Sequence, residues 1–435
     1  MNEATVPALG FSDTAFDAFL ASRQEPDWSI AQRQVAWQAV QSMAMPSRNE
    51  EEWMRTDVRT FKLDDYRLPG ETTDSGSAPA VLAENVELAG AIATVNGTNV
   101  RSELSDKWRS KGVIFGGLAQ LAEEHSELIE KYMIAKDGWP DRFAALHAAC
   151  WSSGTLLYVP RGVVVDQPLH TQSTITDGGV DFGHTLVVLE DGAEATFLNE
   201  MGGVSAADRG FHCGATNVIV GDGARMRFVN LQDWGHETWH FAHQKARVGR
   251  DATLQWTVGA LGSRLSKVNQ QVELVGPGAE CQVNGVMFTE GRQHLSYHTL
   301  QHHQAPHCRS DFLYKAALQD KSRTVWRGMI KVDVGAQKTD GYQRNDNLLL
   351  SHHARADAIP GLEIEADDVR CTHGATTGQV DEELIFYAQS RGFTRREAVR
   401  LVVTGFFQQV FDRITIESVR EALGHAIARR VREYE

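Results

Sequence analysis

VVLEDGAEATFL (187–198), VIVGDGARMRFV (218–229), ARVGRDATLQWT (246–257) and VELVGPGAECQV (272–283) are four versions of one phrase. Each is an apolar run, a turn of Gly, Asp or Pro, an alanine, and a second apolar run. The alanines Ala193, Ala224, Ala252 and Ala279 are spaced by 31, 28 and 27 residues. Extending the step reaches the neighbourhood of His307, then Ala336, then the neighbourhood of Asp367. A repeat near 28 is too short for a strand–helix–strand unit, which needs roughly 30 residues with its helix. It is also short of a propeller blade, at about 40–50 residues. A stacked coil satisfies the pattern: each turn pairs in parallel with the next, and inward side chains form one continuous column. The small alanine marks where coils approach closely. The reading is a parallel β-helix over 151–375.

Both flanks read differently. Residues 1–150 are expected to be mainly helical. SDTAFDAFLASR (12–23) opens on a Ser12 N-cap, and DWSIAQRQVAWQAVQSMAM (27–45) has helical spacing as far as Pro46. Asn96-Gly97 between apolar flanks predicts a hairpin. ETTDSGSAP (71–79) reads as a linker, and LAQLAEEHSELIEKYM (118–133) and DRFAALHAAC (141–150) as helices. Residues 376–435 form a second helical unit. Val380, Leu384, Ile385 and Ala388 are predicted on one face of its first helix, which ends at Gly392. Thr394 and Glu397 have the spacing of a capping box. Val399, Val403, Phe406, Val410 and Ile414 follow a helical period, as do Ile416, Val419, Leu423, Ile427 and Val431. Phe406, Phe407 and Phe411 read as core, with a partner groove as the alternative.

Composition narrows the function. A net charge of −14 has the wrong sign for neutralising nucleic-acid phosphates. No apolar run approaches the roughly 18–20 residues of a membrane span, and MNEATVPALG lacks the features of a secretory signal. A cytoplasmic protein is expected. The five cysteines (Cys150, Cys213, Cys281, Cys308, Cys371) are widely spaced, which argues against a disulfide framework or a zinc ribbon. GALGSRLSK (259–267) has the wrong spacing for a phosphate loop, so ATP hydrolysis by this chain is not expected.

Three constellations bear on metals. His294, His298, His302, His303 and His307 would stack on a helix, but on a strand His294, His298 and His302 are separated by roughly 13 Å per step. His236, His240 and His243 are treated the same way. In DDVRCTHGAT (367–376), Cys371 and His373 alternate with Arg370 and Thr372 and share one strand face. Iron–sulfur and structural zinc sites ordinarily want four ligands. The pair is therefore either a buried cysteine beside a satisfied histidine or half of a site completed across an interface.

CTHGAT (371–376) followed by DEELIFYAQSRGFTRREAVRLVVTGFF (381–407) resembles the C-terminal signature of the SufB/SufD family of iron–sulfur cluster assembly proteins. SufB-like chains tend to read C-x-H-E-A-T and SufD-like chains C-x-H-G-A-T, so Gly374 resembles the SufD branch. PSRNEEEWMRTD (46–57), RFAALHAACWSSGTLLYVPRGVVVDQPL (142–169) and APHCRSDFLYKAAL (305–318) are similar to further family segments. The likeness runs from about residue 40 to the end.

The resemblance implies a right-handed parallel β-helix between helical ends. It implies a non-catalytic scaffold that pairs with SufB, supports iron acquisition, and shares a transient iron or nascent cluster at Cys371 and His373. Sulfur donors and acceptor proteins would be indirect partners. It also implies docking of the SufC ATPase on the C-terminal helices, so that ATP enters only through SufC. Thr394, Glu397, Val399, Val403, Phe406, Phe407 and Val410 are the candidate dock and lever. Reduced flavin is associated with such complexes, although no flavin motif is present here. The solenoid's last coil is an unpaired edge that invites another chain. Two other classes stay open: a polysaccharide-active β-helix enzyme, and a structural homodimer without a metal role.

Overall fold

The computed structural model describes residues 10–70, 76–78, 80–133 and 138–432; the linker expected at 71–79 lies outside them except for 76–78. The chain begins with α1 (Asp13–Ala21) and α2 (Asp27–Ser42), then β1 (Gly90–Val95), β2 (Thr98–Leu104), α3 (Asp106–Arg109) and β3 (Ile114–Gly117). Next come α4 (Leu118–Glu124), α5 (Ser126–Met133) and α6 (Arg142–Cys150). The strand series follows: β4 (Ser153–Val159), β5 (Leu169–Ile175), β6 (Gly179–Asp181), β7 (Gly183–Leu189), β8 (Glu194–Gly203), β9 (Arg209–Val220) and β10 (Arg225–Asp233). It continues with β11 (Glu237–Val248), β12 (Thr253–Ala260), β13 (Leu265–Leu274), β14 (Glu280–Thr289) and β15 (His294–His303). The last strands are β16 (Arg309–Leu318), β17 (Arg323–Val332), β18 (Asp340–Leu349), β19 (Arg355–Ile364) and β20 (Arg370–Gln379), before helices α7 (Glu382–Ser390), α8 (Arg395–Phe411) and α9 (Glu417–Arg430).

From β8 onward the chain alternates between two sheets, so each coil adds one strand to each. The first sheet runs β2-β1-β5-β8-β10-β12-β14-β16-β18-β20 and the second β19-β17-β15-β13-β11-β9-β7-β4-β3, with β6 beside β9. Neighbours are parallel except for β1 with β2 and β3 with β4. This is the parallel β-solenoid that the repeat implies.

The alanine column is real. Ala193, Ala224, Ala252 and Ala279 are fully buried, and each carbonyl accepts from the residue that opens the next coil's strand. The register pairs Arg309 with Asp340 and Asp340 with Arg370, so the column continues through Cys308, Thr339 and Val369. Ala336, where the extrapolated step lands, sits three residues early because the later coils are longer. Cys308 thus fills an alanine's place, consistent with the behaviour of a free cysteine as a small hydrophobe.

The flanking elements largely follow the sequence. Ser12 caps α1 by accepting from the Ala15 amide. Asn96 and Gly97, both at positive φ, turn the β1–β2 hairpin. One expected helix is two, α4 and α5, broken at His125. β1 and β3 are already rungs of the two sheets.

The N-terminal helices cover the outer face of the second sheet. Phe143 stacks on Phe241 at 3.7 Å, and Trp53 lies against both at 5.7 and 6.3 Å. Arg33, wholly buried, pairs with Glu25 at 2.7 Å and donates to the Ala149 carbonyl. Burial pushes the Glu25 carboxyl up, but Arg33 and Arg23 outweigh it and hold the group low. The EEW segment is latched to the same sheet: Glu52 accepts from His298 at 2.6 Å and from Arg327 at 2.5 Å, and Thr56 donates to Ser296. The His298 hydrogen bond draws Glu52 down to about 2.

The outer face of the first sheet is covered by α8 and α9. Val229, Leu231, Val286, Phe288 and Leu313 form one buried cluster with Val403, Phe407 and Leu423. Arginine–carboxylate pairs tie the helices down: Arg413–Asp311 at 3.0 Å, Arg430–Asp233 at 2.6 Å and Arg432–Glu290 at 2.6 Å. No helix among the described residues is long and apolar enough to cross a membrane.

Candidate functional site

Strands β19 and β20 close the series, and each has a neighbour on one side only. Each is ten residues long, so two rows of backbone N–H and C=O groups face outward at one end of the solenoid. Both strands are largely exposed, and Leu362 and Ile364 show apolar surface there. Glu363, Glu365, Asp367 and Asp368 give this end an acidic rim.

Cys371 and His373 both lie on β20, two residues apart and therefore on one face. Cys371 is half-buried against Ile330, Val332 and Ala336. A Cβ at its register partner Gly341 would stand 3.3 Å from the Cys371 sulfur, so the glycine makes room for the thiol. Burial pushes the thiol up from its ordinary value. His373 is exposed and stands in register with Gln343, a buried residue whose Oε1 has no hydrogen-bond partner. Among the described residues, no three His, Cys, Asp or Glu side chains are grouped to hold a metal ion. Strand β20 itself brings one thiol and one imidazole to this end.

The other cysteines are buried and free. Cys213 donates to the Phe143 carbonyl at 3.3 Å, and burial lifts the Cys150 thiol to about 12. The histidine-rich stretch is strand β15 with His307 in the turn beyond it, and three of its members have separate partners: His298 on Glu52, His302 on Asp333 and His303 on Ser310. His243 binds Asp141, and His240 meets His212 with the Nδ1 atoms 2.8 Å apart.

The candidate dock divides. Thr394 and Glu397 form a complete capping box at the surface. Val399, Val403, Phe407 and Val410 are buried against the chain's own core, and partly buried Phe406 lies under Lys315 at 4.7 Å. That apolar stripe faces the solenoid, as the core reading expects, so those side chains are not available to a partner. Leu384 is corrected in the opposite sense: it is exposed, and α7 buries Ile385 and Ala388 instead. The surface left open carries Leu384, Phe386, Tyr387, Phe393 and Leu401. Phe386 is 72% exposed, unusual for so large a ring. Periodicity singled out Leu384 alone of these, and for the buried face; the excess of aromatics in EELIFY was the available signal.

Comparison with known proteins gives two matching family models. One is the SufBD core domain of the SUF system for FeS cluster assembly, over residues 171–406, and the other is the SufBD N-terminal region, over 20–171. An iron-sulfur cluster assembly SufBD family protein of Mycobacterium tuberculosis is 36% identical over 299 residues, covering 66% of this chain and 73% of the relative. The iron-sulfur cluster assembly protein SufD of Bacillus subtilis is 29% identical over 426 residues, covering 95% of this chain and 97% of its own. A SufBD family protein of Staphylococcus saprophyticus is 26% identical over 416 residues, covering 91% and 88%.

Proposed function

The chain belongs to the SufBD family of iron–sulfur cluster assembly proteins and is SufD-like, and on that premise we propose that it is a cytoplasmic, non-catalytic scaffold that pairs with SufB through its open solenoid end. The observation that carries the proposal is the pair of ten-residue edge strands β19 and β20, each paired on one side only, with Cys371 and His373 on the latter. A partner's strands would satisfy the outward backbone groups and extend both sheets. The thiol and imidazole suit iron–sulfur chemistry and fall two short of a usual ligand set. SufB supplies the remainder, and iron or a nascent cluster is the cargo of this shared site.

SufC, the source of ATP hydrolysis, docks on the exposed apolar surface of α7 and α8 around Phe386 and Tyr387. The Arg413, Arg430 and Arg432 pairs fix α8 and α9 to the first sheet. Closure of two SufC subunits would therefore pull on the solenoid wall and open the shared site.

The test is anaerobic co-expression with SufB and SufC, followed by iron and sulfide analysis of the purified complex. Cys371→Ser and His373→Ala are expected to lower both contents while leaving complex formation intact. Normal contents in both variants would remove this pair from the site. A structural homodimer without a metal role would yield no iron-loaded complex with the wild-type chain either.

A further inference from the structure

The two sheets face each other across an interior that is not uniformly apolar. Near the N-terminal end it holds a cavity of about 30 Å³, bordered by β1, β5 and β8 of the first sheet and by β4, β6, β7, β9 and β11 of the second. On the same measure one water needs about 10–15 Å³, so about two water-sized guests fit.

Four side-chain oxygens lining the cavity are buried without a hydrogen-bond partner: both carboxylate oxygens of Asp181, Gln244 Oε1 and Thr94 Oγ1. Thr155 of β4 and Thr171 of β5, whose hydroxyls pair at 3.2 Å from one sheet to the other, also line it, as does Asn199 of β8. Orphaned buried oxygens are costly, and a carboxylate without a cation costs most. The Gly183 amide lies near Asp181 and lowers its pKa, but it is not in hydrogen-bonding geometry; burial dominates and lifts the group to about 6. No cationic side chain among the described residues acts on it. The adjacent imidazoles of His212 and His240 bring no charge, because burial drives both pKa values down, that of His240 to about 3.

We propose that this cavity is a structural site for one dehydrated monovalent cation, potassium or sodium, held between the two sheets by Asp181 with Gln244 and Thr94. The four orphaned atoms are all oxygens, a donor set that suits a hard cation better than a thiophilic one. The single carboxylate balances one positive charge and leaves a second uncompensated in a buried site. The site lies apart from Cys371 and His373, at the other end of the solenoid, and is independent of the cluster-assembly reading.

The test is thermal unfolding of the full chain at pH 7.5, where Asp181 is ionised, in potassium, sodium and choline chlorides at equal ionic strength. A bound cation stabilises only the folded state, so potassium or sodium is expected to raise the midpoint by roughly 2–4 °C over choline. The isosteric variant Asp181→Asn is expected to lose that increment, and Thr94→Val to reduce it. A thallium soak of wild-type crystals should give an anomalous peak between the sheets beside Asp181. Equal midpoints in the three salts, an increment retained in Asp181→Asn, or stabilisation by calcium or magnesium alone would each overturn the proposal.

Discussion

The two ends of the solenoid are built on opposite rules. At the N-terminal end both sheets stop on short antiparallel strands: β3 has four residues, and β2 joins β1 through a register irregularity at Ala93/Thr94. Helix α4 then packs Leu118 and Ala122 against Leu156 and Leu186. These are ordinary ways of blunting an edge. At the C-terminal end two ten-residue strands stop in parallel register, with no further strand beside them among the described residues. A parallel stack propagates unless it is terminated, so the terminated end serves stability, and the open end is the one our proposal gives to assembly.

The comparison can be broken most forcefully at the closed end. Phe115 is buried on β3 and packs edge-on against Phe197 at 6.0 Å. Phe115→Ala is expected to cost about 3–5 kcal/mol in chemical denaturation, with SufB binding unchanged at temperatures where the variant is folded. An effect on binding without one on stability would reverse the roles of the ends. At the open end, Leu362→Asp with Ile364→Asp should do the opposite. Copurification with SufB should fall at least tenfold, while stability moves by no more than about 0.5 kcal/mol per exposed substitution.

A third prediction concerns pH. The Asp181 carboxyl is held at about 6 in the fold against an unfolded value of 3.8. A raised acid favours the protonated folded state, so its stabilising contribution is complete below about pH 4 and is lost as pH rises through about 6. In choline buffer, the stability of wild type relative to Asp181→Asn should fall by about 3 kcal/mol between pH 4 and 7. A flat difference would mean that the carboxylate is solvated. The smallest effect expected is that of Gly374→Glu. A Cβ at Gly374 meets nothing within 4 Å, so the SufB-like residue should be accepted with an unchanged unfolding midpoint.

Much of the solenoid was legible because its coils repeat a turn and a small residue, and a period survives even when individual residues drift. The drift itself was not legible: longer later coils moved the column from Ala336 to Thr339. That Cys371 and His373 share one face was readable because a strand puts alternate residues on the same side, and their place on the final coil followed from counting repeats. The polar cavity was hidden. Polarity alone suggests solvent for Thr171, Asn199 and Gln244, yet they alternate in step with inward Leu169, Phe197 and Ala242 and lie between two facing sheets. The exposed surface of α7 was hidden for a related reason: EELIFY is apolar around more than one face, and only the packed helix separates buried Ile385 from exposed Leu384, Phe386 and Tyr387.

The central claim, that the open end is where SufB joins, is tested most directly by amide hydrogen exchange of the chain alone and in complex with SufB. The account predicts rapid exchange of outward-facing amides in 355–364 and 370–379 in the free chain and strong protection of both in the complex, with 90–117 unchanged. Protection confined to 90–117 or to the helices, with β19 and β20 still exchanging freely, would contradict it.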